Sequence, residues 1–425
     1  MLVVAVPHRV VQISKEGTPA MQSQKKTPQK LTLVYALEEP PKEYAKSIFL
    51  AGPTPRSSDV ASWRPRAIEL LRAAGYDGVV FIPELRDGRE HDWEAQVEWE
   101  ERCLNLADCI LFWLPRQFAT MPGFNTNDEW GVWKDSGKAV FGAPPQADRT
   151  AYQRYYAKKL LVPYAETLEE TVRLAITELG DGALRKGGER EVPLPIWRTA
   201  SFQQWYEAQK DAGNVLVHAR QVFAYRARRK QVMYLWTLHV DVYVRAEKRH
   251  KANELVMSRT DVVAVLLYQR GATPRDTTIV MVQEFRSPVS NSDGLVCELP
   301  GGSSFDESLS AREIAADEVR EEAGLSIALN RLVYHGEAQL VATFSAHRMR
   351  LFSVELTPEE LAWVMEQAAS GATFGSDANE RTSIKTTTVG AIMAGAASAT
   401  ERVRSVDWST IGAIWTVLDE IYAQH

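Results

Sequence analysis

The sequence predicts two units in series, a parallel-sheet α/β domain followed by an α+β sandwich. Three observations carry this. From Lys46 to Gly180, short apolar runs bounded by Gly and Pro alternate with helical patterns. A polar stretch, DGALRKGGEREVPLPI, then interrupts the rhythm. Beyond it, β-rich segments follow one another with one acidic helix inserted. With 425 residues, 45% of them hydrophobic, the chain can bury the cores of two or three domains.

Residues 1–44, rich in Lys, Gln, Thr and Pro and weakly periodic, read as a flexible leader in which Met21 is an alternative start to Met1. Residues 45–182 form the first domain: KSIFLAG, a helix from Asp59 to Ala74, GVVFIPEL, a helix from Trp93 to Leu106, DCILFWLP, a short helix after Asn127, KAVFGAP and KKLLVPY. The last helix opens with Thr167 and Glu170 in capping-box register and ends near Gly180. Residues 183–196 are the expected linker, and 197–425 the second domain. Its strands include YLWTLHVDVYV, TDVVAVLLY, TTIVMVQEF and RMRLFSVEL, with helices at the C-terminal end.

A formal net charge of -6, with Lys and Arg scattered, leaves no electrostatic footprint for nucleic acid or an anionic membrane, so small molecules are the expected partners. Cys103, Cys109 and Cys297 have no CxxC spacing and read as core thiols. No apolar run approaches the ~18 to 20 residues of a membrane span, and MLVVAV has no basic residue before it. A reducing, cytoplasmic setting is the default expectation.

The acidic helix poses a physical problem. In ADEVREEAGL, Glu318, Glu321 and Glu322 extend the stripe begun by Ala311, Ile314 and Ala315, while Arg312, Glu313, Asp317 and Arg320 take the other face. Carboxylates at that spacing repel, and burying one without a partner costs several kcal/mol, on the order of the penalty for an unpaired ion. The pattern therefore asks for a cation.

These residues, with Gly301 and Glu307 upstream and Gly324 and Leu325 downstream, resemble the Nudix hydrolase box. It departs from the family at Asp317, where an Arg is usual, and in the nine residues between Glu307 and Asp317 instead of seven. The resemblance implies a sandwich of helices about a mixed sheet. It further implies Mg²⁺ or Mn²⁺ held by Glu318, Glu321, Glu322 and the Gly301 carbonyl against a substrate diphosphate, with Glu322 also a catalytic candidate. VQEFRSP and CELPGG look like the ADP-ribose pyrophosphatase and nucleotide-sugar branch, which makes Arg286 and Glu298 substrate-binding candidates and Glu380 a candidate base.

IFLAGPTPR and NDEWG resemble the nucleoside 2-deoxyribosyltransferase-like family, over roughly residues 46–180. That implies a flavodoxin-like parallel sheet with Glu129 as nucleophile at an anomeric carbon and Glu100 as the acid that protonates the leaving base. Phe49, where the family usually has Tyr, is expected at the substrate; Gly123 stands where the family has Asp, and Asn125 and Asn127 are the expected substrate-binding replacements. Gly52, Arg56 and Ser57 would receive a 5′-phosphate or hydroxyl. Together the two resemblances imply a bifunctional enzyme of nucleotide metabolism, acting on molecules that carry ribose, base and diphosphate. A nucleotide sensor without turnover is the alternative. Both families often build shared sites by dimerising, so a homodimer is a further expectation.

Overall fold

In a computed structural model, the structure describes residues 31–86, 92–227, 232–306, 308–375, 381–397 and 406–423. The N-terminal sheet consists of β1 (Thr32–Tyr35), β2 (Ser47–Ala51), β3 (Val79–Ile82), β4 (Cys109–Trp113), β5 (Ala139–Gly142) and β6 (Tyr164–Ala165), in the spatial order β1-β3-β2-β4-β5-β6. All its pairings are parallel. The connections are α1 (Arg64–Ala73), α2 (Trp93–Leu106), α3 (Phe124–Trp133) and α4 (Ala151–Leu160), and α5 (Leu168–Leu179) closes the unit.

Alternation of side chains along a strand explains the two-sided core. On β2, Ile48 and Leu50 pack with Ala67 and Leu71 of α1 and Val172 of α5. Phe49 and Ala51 point the other way, into the cluster of Trp99, Cys103 and Trp130 on α2 and α3. The α5 N-terminus is capped as expected, the Thr167 side chain accepting from the Glu170 N–H.

Four expectations need correction here. The sheet takes in residues 32–35 of the expected leader, and Tyr44 is buried; a four-residue edge strand was too short to register as a period. Helix α1 begins at Arg64 rather than Asp59, with Pro65 in its first turn, where a missing N–H does no harm. In KKLLVPY, Lys158 to Leu160 end helix α4, and only Tyr164–Ala165 pairs as strand. The expected linker is packed rather than free. Arg185 is buried and ion-paired with Asp108, Arg190 donates to the Tyr44 carbonyl, and Val192, Leu194 and Ile196 are core. Its polarity misleads because the buried guanidiniums find acceptors within the fold.

After α6 (Leu194–Trp197) and α7 (Ala200–Asp211), an antiparallel meander of β7 (Val215–Ala227), β8 (Val232–Val244) and β9 (Arg249–Arg259) forms a sheet of its own. Its core joins Phe202 and Tyr206 of α7 to Trp236, Leu238 and Val240 of β8.

The last region is a mixed sheet of β10 (Val262–Gln269), β11 (Thr278–Phe285), β12 (Leu295–Glu298), β13 (Val333–Gln339), β14 (Arg348–Glu355), β15 (Thr373–Phe374) and β16 (Thr382–Thr388). The order is β13-β14-β10-β11-β16-β15, with β12 on β11; only β10 and β14 run parallel. Val263, Val265 and Leu267 face α8 (Ala311–Ala323) and α9 (Pro358–Ser370). Ala264 and Leu266 face α10 (Val389–Ala397) and α11 (Trp408–Ala423). Helices thus cover both faces, as an α/β/α sandwich requires. No helix among the described residues is long and apolar enough to cross a membrane.

Candidate functional sites

In an open parallel sheet, the loops after the strands converge beyond the carboxyl ends. Here they enclose a cleft of about 550 Å³ lined by Gly52, Arg56, Glu100, Asn125 and Glu129 together with Arg64 and Glu84. The chain leaves β2 at Gly52, whose φ of 157° brings the backbone so close that a Cβ would lie 2.3 Å from the Trp113 carbonyl oxygen.

Helix α3 carries Glu129. It starts at Phe124, three residues before the expected Asn127, because Gly123 in the left-handed region (φ 63°) turns the chain into it. Glu129 therefore lies in the second turn. At 100° per residue Asn125, four positions earlier, shares its face and lines the cleft. Asn127, two positions earlier, points away: its Oδ1 accepts from Arg116 Nη2 (2.5 Å) and Gln153 Nε2 (2.8 Å). Asn127 is thus an anchor for α3, not a wall of the cleft. Phe49 is likewise corrected, since it is fully buried against Trp99 beneath the sheet. Ser57 is exposed and does not line the cleft.

Burial in the cleft pushes the Glu129 carboxyl up to about 8, with Glu100 adding to the rise and Arg64 opposing it. Glu100 accepts a 2.7 Å hydrogen bond from Gln96, one turn earlier on α2. Arg56 lies at the mouth, 6.0 Å from the Phe124 ring centroid.

Arg64 escaped the sequence reading. It is 1% exposed and donates from Nε to the Leu50 carbonyl (3.1 Å), from Nη2 to the Gly52 carbonyl (2.7 Å), and from Nη1 to Thr54 (3.1 Å) and Glu84 (2.6 Å). The signal was present in SWRPR: an Arg at a helix start, twelve residues after the Gly52 turn, lies within reach of the carbonyls that end β2.

The second cleft, about 600 Å³, opens at the β12 to α8 turn and is lined by Glu284, Arg286, Glu298, Gly301, Glu318, Glu321 and Glu322. Helix α8 is held by a capping box, Ser310 with Glu313, and ends at Gly324 in the left-handed region. Its fully buried stripe is Ala315, Val319 and Ala323, and the glutamates flank it. Burial pushes Glu322 up to about 8. The Gly301 N–H, donating to Glu322 Oε2 at 2.9 Å, opposes the rise, Glu318 and Glu284 add to it, and Arg286 opposes it.

At Gly301, then, the amide is what meets the acidic helix, where the carbonyl was expected as a ligand. A Cβ at Gly302 would lie 2.6 Å from Glu318 Oε1, so the bare backbone makes room for that carboxylate. Arg286 pairs with Glu298 (2.7 Å) and Glu284 (3.1 Å), and Arg320 with Asp317 (2.8 Å) and Glu321 (3.2 Å). Among the described residues, no three His, Cys, Asp or Glu side chains stand close enough together to hold an ion. Glu307 and Glu380 lie outside the described residues.

Residues 45–147 match a family described as nucleoside 2-deoxyribosyltransferase like, and this span holds every N-terminal cleft residue named above. No curated protein matches the chain. Among solved structures, one titled "Crystal structure of ADP compounds hydrolase" matches at 15% identity with a TM-score of 0.34, covering 50% of this chain and 95% of that one, too slight a likeness to carry an argument.

Proposed function

We propose that the chain is a bifunctional nucleotide-processing enzyme whose N-terminal cleft cleaves or transfers an N-glycosidic bond through Glu129. The observation that carries this reading is the buried Glu129 carboxyl facing a cleft with Glu100 across it, inside the span similar to nucleoside 2-deoxyribosyltransferases. Ionised Glu129 attacks the anomeric carbon as the bond to the base breaks, and Glu100 delivers the proton the base takes with it. The resulting glycosyl ester is resolved by water or by a second base. Positive charge developing on the sugar favours the ionised form of Glu129 in a site that otherwise disfavours it. Arg56 at the mouth suits a 5′-phosphate.

In the second cleft, Glu318, Glu321 and Glu322 do not converge as a ready-made set, and holding Mg²⁺ or Mn²⁺ would require them to close in on the ion, with Glu321 leaving Arg320. The donor set is all oxygen, as hard cations prefer, and the Gly302 backbone leaves the Glu318 carboxylate room. Such an ion supplies charge neutralisation at a diphosphate, in the manner of a Nudix hydrolase acting on an ADP-ribose-like or nucleotide-sugar-like substrate. The chain's own part is to aim Glu322 through the Gly301 amide and to bring Arg286 to a phosphate oxygen. The Arg320 pairings with Asp317 and Glu321 favour a second reading, a nucleotide sensor that binds without turnover.

The test is breakdown of ADP-ribose, NAD, nucleotide-sugars and nucleoside monophosphates by purified protein with Mg²⁺ or Mn²⁺, scored separately for free base and for phosphate-containing products. Glu129→Gln should remove the first alone and Glu322→Gln the second alone. Tight, metal-independent binding of the same compounds with neither product would establish the sensor instead.

A further inference from the structure

Arg64 and Glu84 have no part in the chemistry above, yet both line the Glu129 cleft. Arg64 spends its donors on its own surroundings: two carbonyls of the β2 end, Thr54 and Glu84. Glu84 is held in turn by Ser62 at 2.8 Å. The guanidinium is thus fixed in place, 1% exposed, with one carboxylate partner. The Glu129 carboxyl, by contrast, has no hydrogen-bond or ion-pair partner among the described residues, so beyond the effect of burial its charge responds at longer range to the groups around it. These are Glu100 from α2, Asp128 from its own helix, and Arg64 from α1, with Glu84 after β3 and Arg56 after β2 on the cleft wall.

We propose that Arg64 and Glu84 form an opposed charge pair that sets whether Glu129 is ionised, Arg64 promoting the nucleophilic form and Glu84 holding it back. This rests on the glycosyl-bond reading of the cleft and makes both side chains positioning residues. Charge, not contact, is the working property. At the protein wall of a cleft a fixed charge acts over longer distances than in bulk water, and an arginine side chain is a permanent cation. Arg64 also holds the Gly52 turn, so one side chain fixes both the shape of the floor and its potential.

The pair makes a prediction that a purely structural role reverses. Removing Arg64 takes a positive charge from the Glu129 surroundings, so the carboxyl should titrate higher in Arg64→Gln. Removing the Glu84 charge should make it titrate lower in Glu84→Gln. Each shift should be about half a unit or more, on the scale of neighbouring-charge effects. If the two side chains only kept the cleft packed, either substitution would admit water and lower the Glu129 value in both variants.

The experiment is a ¹³C-carboxyl NMR titration of the full chain labelled at glutamate, with Glu129→Gln assigning the signal. Opposite shifts, with Arg64→Lys nearer to wild type than Arg64→Gln, support the pair. Equal or same-sign shifts overturn it. Should Arg64→Gln fail to fold, Glu84→Gln and Arg64→Lys still decide: the pair is overturned if Glu84→Gln shows no downward shift, or if Arg64→Lys is displaced downward as far as Glu84→Gln. The titration needs no turnover. Opposite shifts in a protein that releases no base would retain the charge pair and count against the glycosyl-bond reading, whereas base release without opposite shifts would do the reverse.

Discussion

The two clefts contain carboxyls pushed to the same value by the same first cause, and they differ in everything around them. Glu129 and Glu322 are both raised to about 8 by burial. Glu129 makes no hydrogen bond among the described residues, faces Glu100 across the cleft, and has a fixed arginine on the floor. Glu322 accepts the Gly301 amide and sits among Glu284, Glu298, Glu318 and Glu321, with Arg286 already engaged by two of them. A carboxyl held by no hydrogen bond suits the gain of charge as a positive centre forms, whereas a closer cluster of carboxylates suits a cation. Equal shifts are thus compatible with different chemistry, and the neighbours distinguish the two proposals.

The largest expected effect that separates the clefts is on turnover. Glu129→Gln should abolish base release, while Glu100→Gln should slow it by about 10²- to 10⁴-fold, the span typical of a general acid. Diphosphate cleavage should be untouched in both. Chromatography of free base and nucleotide products from one incubation reads the two reactions side by side.

Removing divalent metal with a chelator should stop the second reaction and spare the first. Readdition of Mn²⁺ should restore it in wild type and not in Glu322→Gln. A chelator-resistant diphosphate cleavage would erase the distinction between the two clefts.

A subtler difference lies in pH. The working form keeps one proton on the pair, with Glu129 ionised to attack and Glu100 protonated to donate, so base release should fall as pH rises beyond about 8 and that last proton leaves. Stability responds over a lower range. Between the usual glutamate value of 4.5 and about 8, the folded chain keeps a proton on Glu129 that the unfolded chain has released, so this residue makes stability fall as pH rises. Glu129→Gln should flatten that slope, as measured by denaturant midpoints at pH 5 and pH 8. A steeper slope in the variant would mean the carboxyl is ionised in the fold.

At two positions the expected effect falls on stability. Phe49→Ala should cost about 3 to 5 kcal/mol, the usual range for emptying a buried Phe site. The milder Phe49→Leu should leave KM for the nucleoside substrate unchanged. A KM change in Phe49→Leu at unchanged stability would return Phe49 to the cleft. Asn127→Ala should cost about 1 to 3 kcal/mol, since it leaves the buried Gln153 amide without this acceptor and Arg116 Nη2 with only the longer 3.4 Å contact to the Gly123 carbonyl.

The fold was readable where apolar runs and breakers were long enough to show a period. The N-terminal strands, buried on both faces, appear as SIFLA, VVFI and CILFW, and α2 lies where its pattern, around Trp93 to Leu106, puts it. The pattern failed at β1, four residues at a sheet edge, and at residues 183–196, whose arginines are buried through partners distant in sequence. It also did not separate the β7 to β9 meander from the sandwich, because strand pairing is a long-range choice that composition does not encode.

That Gly52, Glu100 and Glu129 meet at one cleft was legible for the same reason: they follow breakers and periods at strand ends and on helix faces. Phe49 lies in the middle of β2, short of the carboxyl end where the cleft opens at Gly52, and Asn127 is turned away by two steps of helical rotation. In each case the residue type was suggestive and its placement decided. Arg64 was missed because its role depends on carbonyls, which no sequence pattern displays.

Nucleophilic attack by Glu129 is tested most directly by base release from a nucleoside monophosphate panel with wild type and Glu129→Gln at pH 8. Wild type should yield free base and the variant none, with a covalent glycosyl adduct on Glu129 detectable by mass spectrometry in wild type alone. Base released equally by both proteins would contradict it.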